Sequence, residues 1–130
     1  MRQSPLLHFE STAFPAIEGE DAETNPGIFG KALAEWLATT LASHGTATEG
    51  VIAEDFGWCV AVASKPHRLY VACANGEEAH TWQVFSFAEG GGLSRLFGKD
   101  RSAEQLDALH ATVRDILSTE ASISRLTEEK

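Results

Sequence analysis

The chain has 130 residues, 43% of them hydrophobic and 22% charged, with a formal net charge of −9 at pH 7. This length and composition predict one globular domain, residues 1–130, with a core large enough to fold without disulfides or bound metals. The acidic balance argues against a nucleic-acid surface, which needs a basic stripe to neutralise phosphates, and against binding to an anionic membrane surface.

Cysteine usage and the N-terminal segment predict the cellular compartment. The two cysteines lack the spacing of metal ligands, which is typical of buried thiols in a reducing compartment. The first residues have no long apolar core of the kind found in signal peptides, and no run approaches the roughly 20 apolar residues of a membrane helix. We therefore expect a cytoplasmic protein.

The N-terminal part of the chain is predicted to form a strand followed by an acidic loop. Leu7 and Phe9 alternate with polar residues in a strand at Leu6–Thr12. The loop Ala13–Gly27 comes next. It carries four carboxylates within six residues: Glu18, Glu20, Asp21 and Glu23.

The first predicted helix follows this loop. Asn25 and Pro26 match an N-cap followed by proline at the first helical position, and the preceding carboxylates suit the positive end of a helix dipole. An apolar stripe at helical spacing predicts the helix over Ile28–His44, with Gly45 as its left-handed C-cap. Its alanine flanks are slim, so the helix can approach a sheet closely.

A β-hairpin at Gly57–Ala74 is the centre of the predicted sheet. Pro66 belongs in its turn, because proline has a fixed φ and no N–H. A loop with an even number of residues gathers the large apolar side chains on one face: Trp58, Val60, Val62, Leu69, Val71 and Cys73. Cys59 then lies on the opposite face from Cys73, which forbids a disulfide between them. That second face is nearly all alanine, and we expect a helix or another contact to cover it.

The C-terminal part is predicted to be helical. Three glycines indicate a flexible connection in Glu89–Asp100, with one helical turn at Leu93–Phe97. A capping box at Ser102 begins the second amphipathic helix, and Thr119–Lys130 is predicted to add a short third helix.

The predicted order of elements gives the fold class. Two further strands, Thr46–Glu54 and Thr81–Ala88, flank the hairpin, and tight turns make neighbouring strands antiparallel. We therefore predict an α+β fold, a two-layer sandwich whose mostly antiparallel sheet has about five strands and two main helices, in the order β-α-β-β-β-β-α.

No motif for a cofactor, a metal or a covalent mechanism stands out. The five histidines share no ligand spacing, and Cys59 lies in mid-strand among Ala and Val, where a thiol is usually inert. The glycine run at Gly90–Gly92 lacks the remaining residues of a phosphate-binding loop. We therefore predict no cofactor and no metal site, and we favour a binding protein over an enzyme.

Several segments resemble those of a family of small uncharacterised proteins of Gram-negative bacteria. The segments are GEDAETNPG (Gly19–Gly27), GKALAEWL (Gly30–Leu37), EDFGWCV (Glu54–Val60) and KPHRLYVAC (Lys65–Cys73). The resemblance covers about residues 6 to 118 and implies no activity. In size, acidity and order of elements the chain is also loosely similar to type III secretion chaperones, although it lacks their clear helix between the third and fourth strands.

Two functions follow from these observations. The first is a small acidic interaction module, adaptor-like or chaperone-like, with a basic protein partner; a homodimer is a further alternative. The second is a small enzyme or ligand-binding protein, with a site formed by the Glu18–Asn25 loop and the Asp55–Trp58 turn. That site requires the loop and the turn to lie at the same end of the domain. Its candidate binding residues are Glu20, Asp21, Glu23, Asn25, Asp55 and Trp58.

Overall fold

The computed structural model of this chain describes residues 2–64, 67–89 and 102–129. These residues form an α+β domain with two α-helices, one short 3₁₀ turn at Glu20–Ala22 and a seven-stranded sheet. The strands are β1 (Arg2–Gln3), β2 (Leu6–Glu10), β3 (Thr48–Glu54), β4 (Gly57–Val62), β5 (Leu69–Asn75), β6 (Thr81–Ala88) and β7 (Ser124–Glu129). The helices are α1 (Lys31–Ser43) and α2 (Ser102–Thr119).

The sheet has the order β3-β4-β5-β6-β2-β7, and each of these neighbours is antiparallel. Strand β1 also pairs with β6, just beyond the part of β6 that β2 occupies. The predicted α+β class with a mostly antiparallel sheet and two main helices is confirmed. The sheet has more than the predicted five strands, because the short β1 and the C-terminal β7 were not foreseen.

The register of the central hairpin is the predicted one. Trp58 lies opposite Cys73 and Val60 lies opposite Val71, so the loop between β4 and β5 contains an even number of residues. The large apolar side chains therefore share one face of the sheet, as the parity argument requires.

Both helices pack against that same face. Helix α1 contributes the fully buried Leu33, Leu37 and Leu41, and α2 contributes Val113 and Leu117, to one core with the sheet. Burying a leucine side chain of this kind contributes about 1.5–3 kcal/mol. A separate apolar cluster lies on the opposite face, and neither described helix belongs to it. Of the two covers expected for the alanine-rich face, a helix or another contact, neither α1 nor α2 supplies the first.

Helix α1 begins later than predicted. Its first residue is Lys31, after Gly30 with a φ of 150°, and not Pro26. The preceding residues run beside the end of β5, where the Asn75 N–H donates to the Phe29 carbonyl at 3.1 Å. A tertiary pairing thus replaces the first helical turn that the Asn-Pro pattern predicted. The left-handed residue after the helix is Gly45, as expected.

The predicted C-terminal helix is wrong. Residues Ser124–Glu129 form β7, which adds to the free edge of β2, while Ile123 and Leu126 pack on the core. The pairing shifts register between His8 and Glu10, and a β-bulge of this kind lets the strand bend over the sheet. The predicted helical turn at Leu93–Phe97 lies outside the described residues.

Candidate binding surface

The acidic loop and the β3–β4 turn lie at the same end of the sheet. The Asn25 side-chain amide donates to the Asp55 carbonyl at 2.9 Å. Nearby, the Asn75 side chain accepts from the Phe29 N–H at 3.0 Å and donates to the Gly27 carbonyl at 3.1 Å. These bonds attach the loop to two neighbouring strands. The spatial condition for a site between loop and turn is therefore met.

Glu20 is buried and is used by the fold. Its Oε1 accepts from the Ile17 N–H at 2.8 Å, and its Oε2 accepts from the N–H groups of Gly30 and Lys31 at 3.2 and 3.0 Å. These two donors belong to the start of α1, whose first N–H groups have no partner within the helix. Glu20 thus caps the positive end of α1 from a distant loop position.

The other carboxylates of the loop are more exposed. Asp21 accepts from the Gly27 N–H at 2.8 Å and so closes the loop on itself. Within the described ranges, the side chains of Glu18 and Glu23 make no hydrogen bond or ion pair, and both are exposed. These two residues are the ones whose charge is free to act on a partner.

Trp58 lies on the helix side of the sheet, away from solvent. It is only 3% exposed, and the Lys31 ammonium lies 5.1 Å from its ring centroid, which is the geometry of a cation–π contact. The structure therefore brings Asn25 and Asp55 together at the surface but places Glu20 and Trp58 inside the fold. A binding role for the predicted residues stays a prediction.

The face opposite the helices carries a cluster of aromatic rings, Phe56, Tyr70, Phe85 and Phe87, which we call the aromatic face. Tyr70 stacks on Phe87 at 5.1 Å between ring centroids, and Phe56 lies 6.1 and 5.8 Å from Phe85 and Phe87. Phe56 precedes β4, so its ring reaches across β5 to touch β6. Ala72 on β5 lies opposite Phe85 and lines the same cleft as Phe56 and Phe85.

Part of the aromatic face is exposed. Phe56 retains 43% of its surface in contact with solvent, and Ile52, which is opposite Cys59 and therefore on the same face, retains 42%. Large contiguous apolar patches on a protein surface mark sites of interaction. The strand alternation that the sequence showed in Thr81–Ala88 contained this signal, because apolar residues occupied both of its faces.

Two adjoining clefts lie on this side of the sheet. The first, which we call the apolar cleft, has a volume of about 260 Å³. Six of the residues that line it are apolar: Leu6, Ile28, Phe56, Ala72, Ala74 and Phe85. The second, the acidic cleft, has a volume of about 450 Å³ and shares Leu6 and Gln83 with the first.

The acidic cleft is rich in carboxylates. Its charged or titratable lining residues are His8, Glu10, Glu77, Glu78, Arg125 and Glu129. Two of the four carboxylates have partners, since Arg125 lies 3.0 Å from Glu10 and the His8 ring lies 2.8 Å from Glu129. Within the described part of the chain, the side chains of Glu77 and Glu78 make no hydrogen bond or ion pair. Sequence reasoning missed this cleft, because β7 supplies part of its wall.

The cysteines are buried free thiols on opposite faces of the sheet. Burial, with a smaller contribution from Glu54, raises the pKa of the Cys59 thiol to about 12, and burial also raises the pKa of Cys73. Because the thiolate is the nucleophilic form, burial disfavours nucleophilic chemistry at both thiols.

Metal ligation and membrane insertion are two further roles that the geometry bears on. Among residues 2–64, 67–89 and 102–129, no three side chains of His, Cys, Asp or Glu stand where they could jointly hold a metal ion. Neither helix in these ranges has both the length and the apolar content needed to cross a bilayer.

Comparison of the chain with protein-family models, curated proteins and solved structures finds no significant match.

Proposed function

We propose that this chain is a small cytoplasmic protein-interaction module, adaptor-like or chaperone-like, which binds its partner through the aromatic face. The observation that carries the proposal is the exposure of Phe56 and Ile52 on a sheet face against which neither described helix packs. Aromatic side chains supply much of the binding energy in protein interfaces, because they bury a large area with few rotatable bonds.

The charge of the chain supports a basic partner. The net charge is −9. Glu54 at the end of β3, Asp55 in the β3–β4 turn, and Glu77 and Glu78 in the β5–β6 turn lie beside the aromatic face. Complementary charge speeds encounter and rejects acidic competitors, while the apolar contact supplies most of the affinity. We therefore propose that the aromatic side chains form the centre of the interface and that the surrounding carboxylates form its rim.

The second candidate is a ligand-binding protein or small enzyme with its site between the acidic loop and the β3–β4 turn. The Asn25–Asp55 hydrogen bond favours it, because that bond brings the two segments together at the surface. We rank it second, since Glu20 is committed to capping α1 and Trp58 is buried beneath Lys31.

A capture experiment from the native host separates these proposals. The immobilised wild-type chain is compared with Phe56→Ser and Ile52→Ser, and with Ile17→Ser as the matched control. Ile17 is 56% exposed and lies in the acidic loop, so its replacement also removes an exposed apolar side chain. We expect the captured partner to be lost with the first two variants and retained with the control.

The contrary results are equally clear. Partner capture that survives both aromatic-face variants, with folding confirmed by circular dichroism, would overturn the first proposal. Loss of the partner only when Glu23 and Asp55 are neutralised together, to Gln and Asn, would favour the second.

A further inference from the structure

We infer that the apolar cleft and the acidic cleft form one docking site for a partner segment that carries a large apolar side chain next to a basic one. This inference rests on the proposed function and specifies the chemistry of the partner. It depends on two neighbouring clefts that share lining residues, one lined mainly by apolar side chains and the other rich in carboxylates.

The shared wall shows that one segment can reach both clefts. Leu6 and Gln83 line each of them, and Gln83 lies directly opposite His8 in the β2–β6 pair. His8 lines the acidic cleft. Phe85, which is two residues after Gln83 on β6, lines the apolar cleft. Side chains two residues apart on a strand point the same way and are about 7 Å apart, so an extended segment of the same periodicity spans this step.

The apolar cleft suits a single large side chain. Its volume of about 260 Å³ exceeds that of the ~150 Å³ apolar cavities that accept a benzene ring, so a Leu, Met or Phe side chain has room. Phe56 forms part of its wall and is 43% exposed. A side chain entering the cleft would therefore cover an aromatic ring that now faces water.

The acidic cleft suits a cation. Four carboxylates stand against one guanidinium, and Glu77 and Glu78 are without a charged partner among the described residues. Both belong to the β5–β6 turn, beside Gly76, which also lines the cleft. A lysine or arginine of the partner would neutralise this excess, whereas a phosphate or a carboxylate would be repelled.

A peptide selection tests this site and does not require the partner to be identified first. A phage-displayed library of random dodecapeptides is selected on the wild-type chain, and the enriched peptides are synthesised and titrated by fluorescence anisotropy. We expect the enriched peptides to share a large apolar residue with a lysine or arginine within two or three positions of it.

Variants then assign each half of the motif. Phe56→Ser should weaken binding of these peptides by about tenfold or more, as loss of a central aromatic contact does. The pair Glu77→Gln and Glu78→Gln should weaken it about threefold to tenfold, with the larger effect at low salt. The matched controls should leave affinity within about twofold. They are Ile17→Ser and the pair Glu35→Gln and Glu104→Gln, two exposed carboxylates on the helices, which pack against the other face of the sheet.

Three results would overturn the inference. Enriched peptides that depend on Phe56 but carry no basic residue would contradict the acidic half, while the proposed function would stand. Selection that yields no peptide sensitive to Phe56→Ser would contradict the apolar cleft as the anchor. A wild-type dimer in light scattering that Phe56→Ser converts to a monomer would show that a second copy of the chain occupies this site.

Discussion

Glu20 accepts a hydrogen bond from the backbone N–H of Lys31 at 3.0 Å, although the two residues are eleven positions apart in the chain. Through this bond the acidic loop is joined to the beginning of α1. One carboxylate of the loop, Glu20, is therefore buried in the fold, whereas Glu18 and Glu23 are exposed to solvent.

We predict that Glu20→Ala lowers the free energy of unfolding by about 1–3 kcal/mol, because it leaves buried N–H groups without an acceptor. Urea unfolding measures this change. Glu18→Ala is the matched control: the Glu18 side chain is exposed and has no hydrogen bond within the described residues, so its loss should change stability by less than about 0.5 kcal/mol. Equal effects of the two substitutions would contradict the capping role of Glu20.

Gly57 is required by close packing at the start of β4. A Cβ at this position would lie 2.5 Å from the Cys73 carbonyl oxygen, and the φ of 154° is unfavourable for other residues. Gly45 also has a positive φ, of 87°, but a Cβ there would meet nothing within 4 Å. We therefore predict that Gly45→Ala costs about 1–2 kcal/mol from backbone strain, and that Gly57→Ala costs more. Thermal or urea unfolding of both variants checks the order, and the reverse order would contradict the close contact.

Much of the fold follows from local patterns that the sequence displays. The hairpin register follows from the parity of apolar residues, since Trp58 and Val60 must share a face with Val71 and Cys73. The helix α2 begins at Ser102, where the capping box places it. These features depend on residues close together in the chain or on the spacing of apolar residues along it, and a single sequence contains both.

The missed features depend on partners distant in the chain. Ser124–Glu129 has few apolar residues and is a strand because β2 offers it an edge. Helix α1 starts at Lys31 because residues before it pair with Asn75, 46 residues from Phe29. The acidic cleft required β7 next to β2, so the sequence could not reveal it. The sequence predicted the acidic loop. It did not predict that the loop contacts the Asp55 turn, and stated this only as a requirement of the second candidate site.

The buried thiols give a prediction on reactivity. Since burial raises the pKa of Cys59 to about 12 and also raises that of Cys73, only a very small fraction of either thiol is ionised at pH 8. We expect slow reaction with iodoacetamide in the native protein and rapid reaction of both thiols in urea, followed by mass spectrometry. Fast labelling of one cysteine in the folded state would show that its face of the sheet opens to solvent.

The last prediction concerns the bond that holds β7 to α2. The His110 Nε2 and the Glu128 Oε1 lie 2.6 Å apart, and the Arg114 guanidinium lies 3.3 Å from the same oxygen. The hydrogen bond from His110 is the largest cause that lowers the pKa of the Glu128 carboxyl, with the charges of His110 and Arg114 acting in the same direction. Because the ordinary pKa of a glutamate is about 4.3, the carboxyl titrates below that value in the folded protein.

The sign of the effect on stability follows from proton binding. In the unfolded chain Glu128 gains its proton first as the pH falls, so acid favours unfolding through this residue. Its contribution is complete above pH ~4.3 and is lost as the pH falls through the lower folded value. We therefore predict that the wild-type chain is more stable than Glu128→Gln near neutral pH, and that the difference narrows below pH ~4.

Urea unfolding at a series of pH values measures this difference. The variant His110→Asn provides the control, because it removes the largest cause of the lowered pKa. In the His110→Asn background, Glu128→Gln should change stability less, and the change should depend less on pH, which a double-mutant cycle quantifies. A wild-type to Glu128→Gln difference that stays constant from neutral pH to below pH ~4 would show that the pKa of Glu128 is not lowered in the folded protein, and it would contradict the prediction.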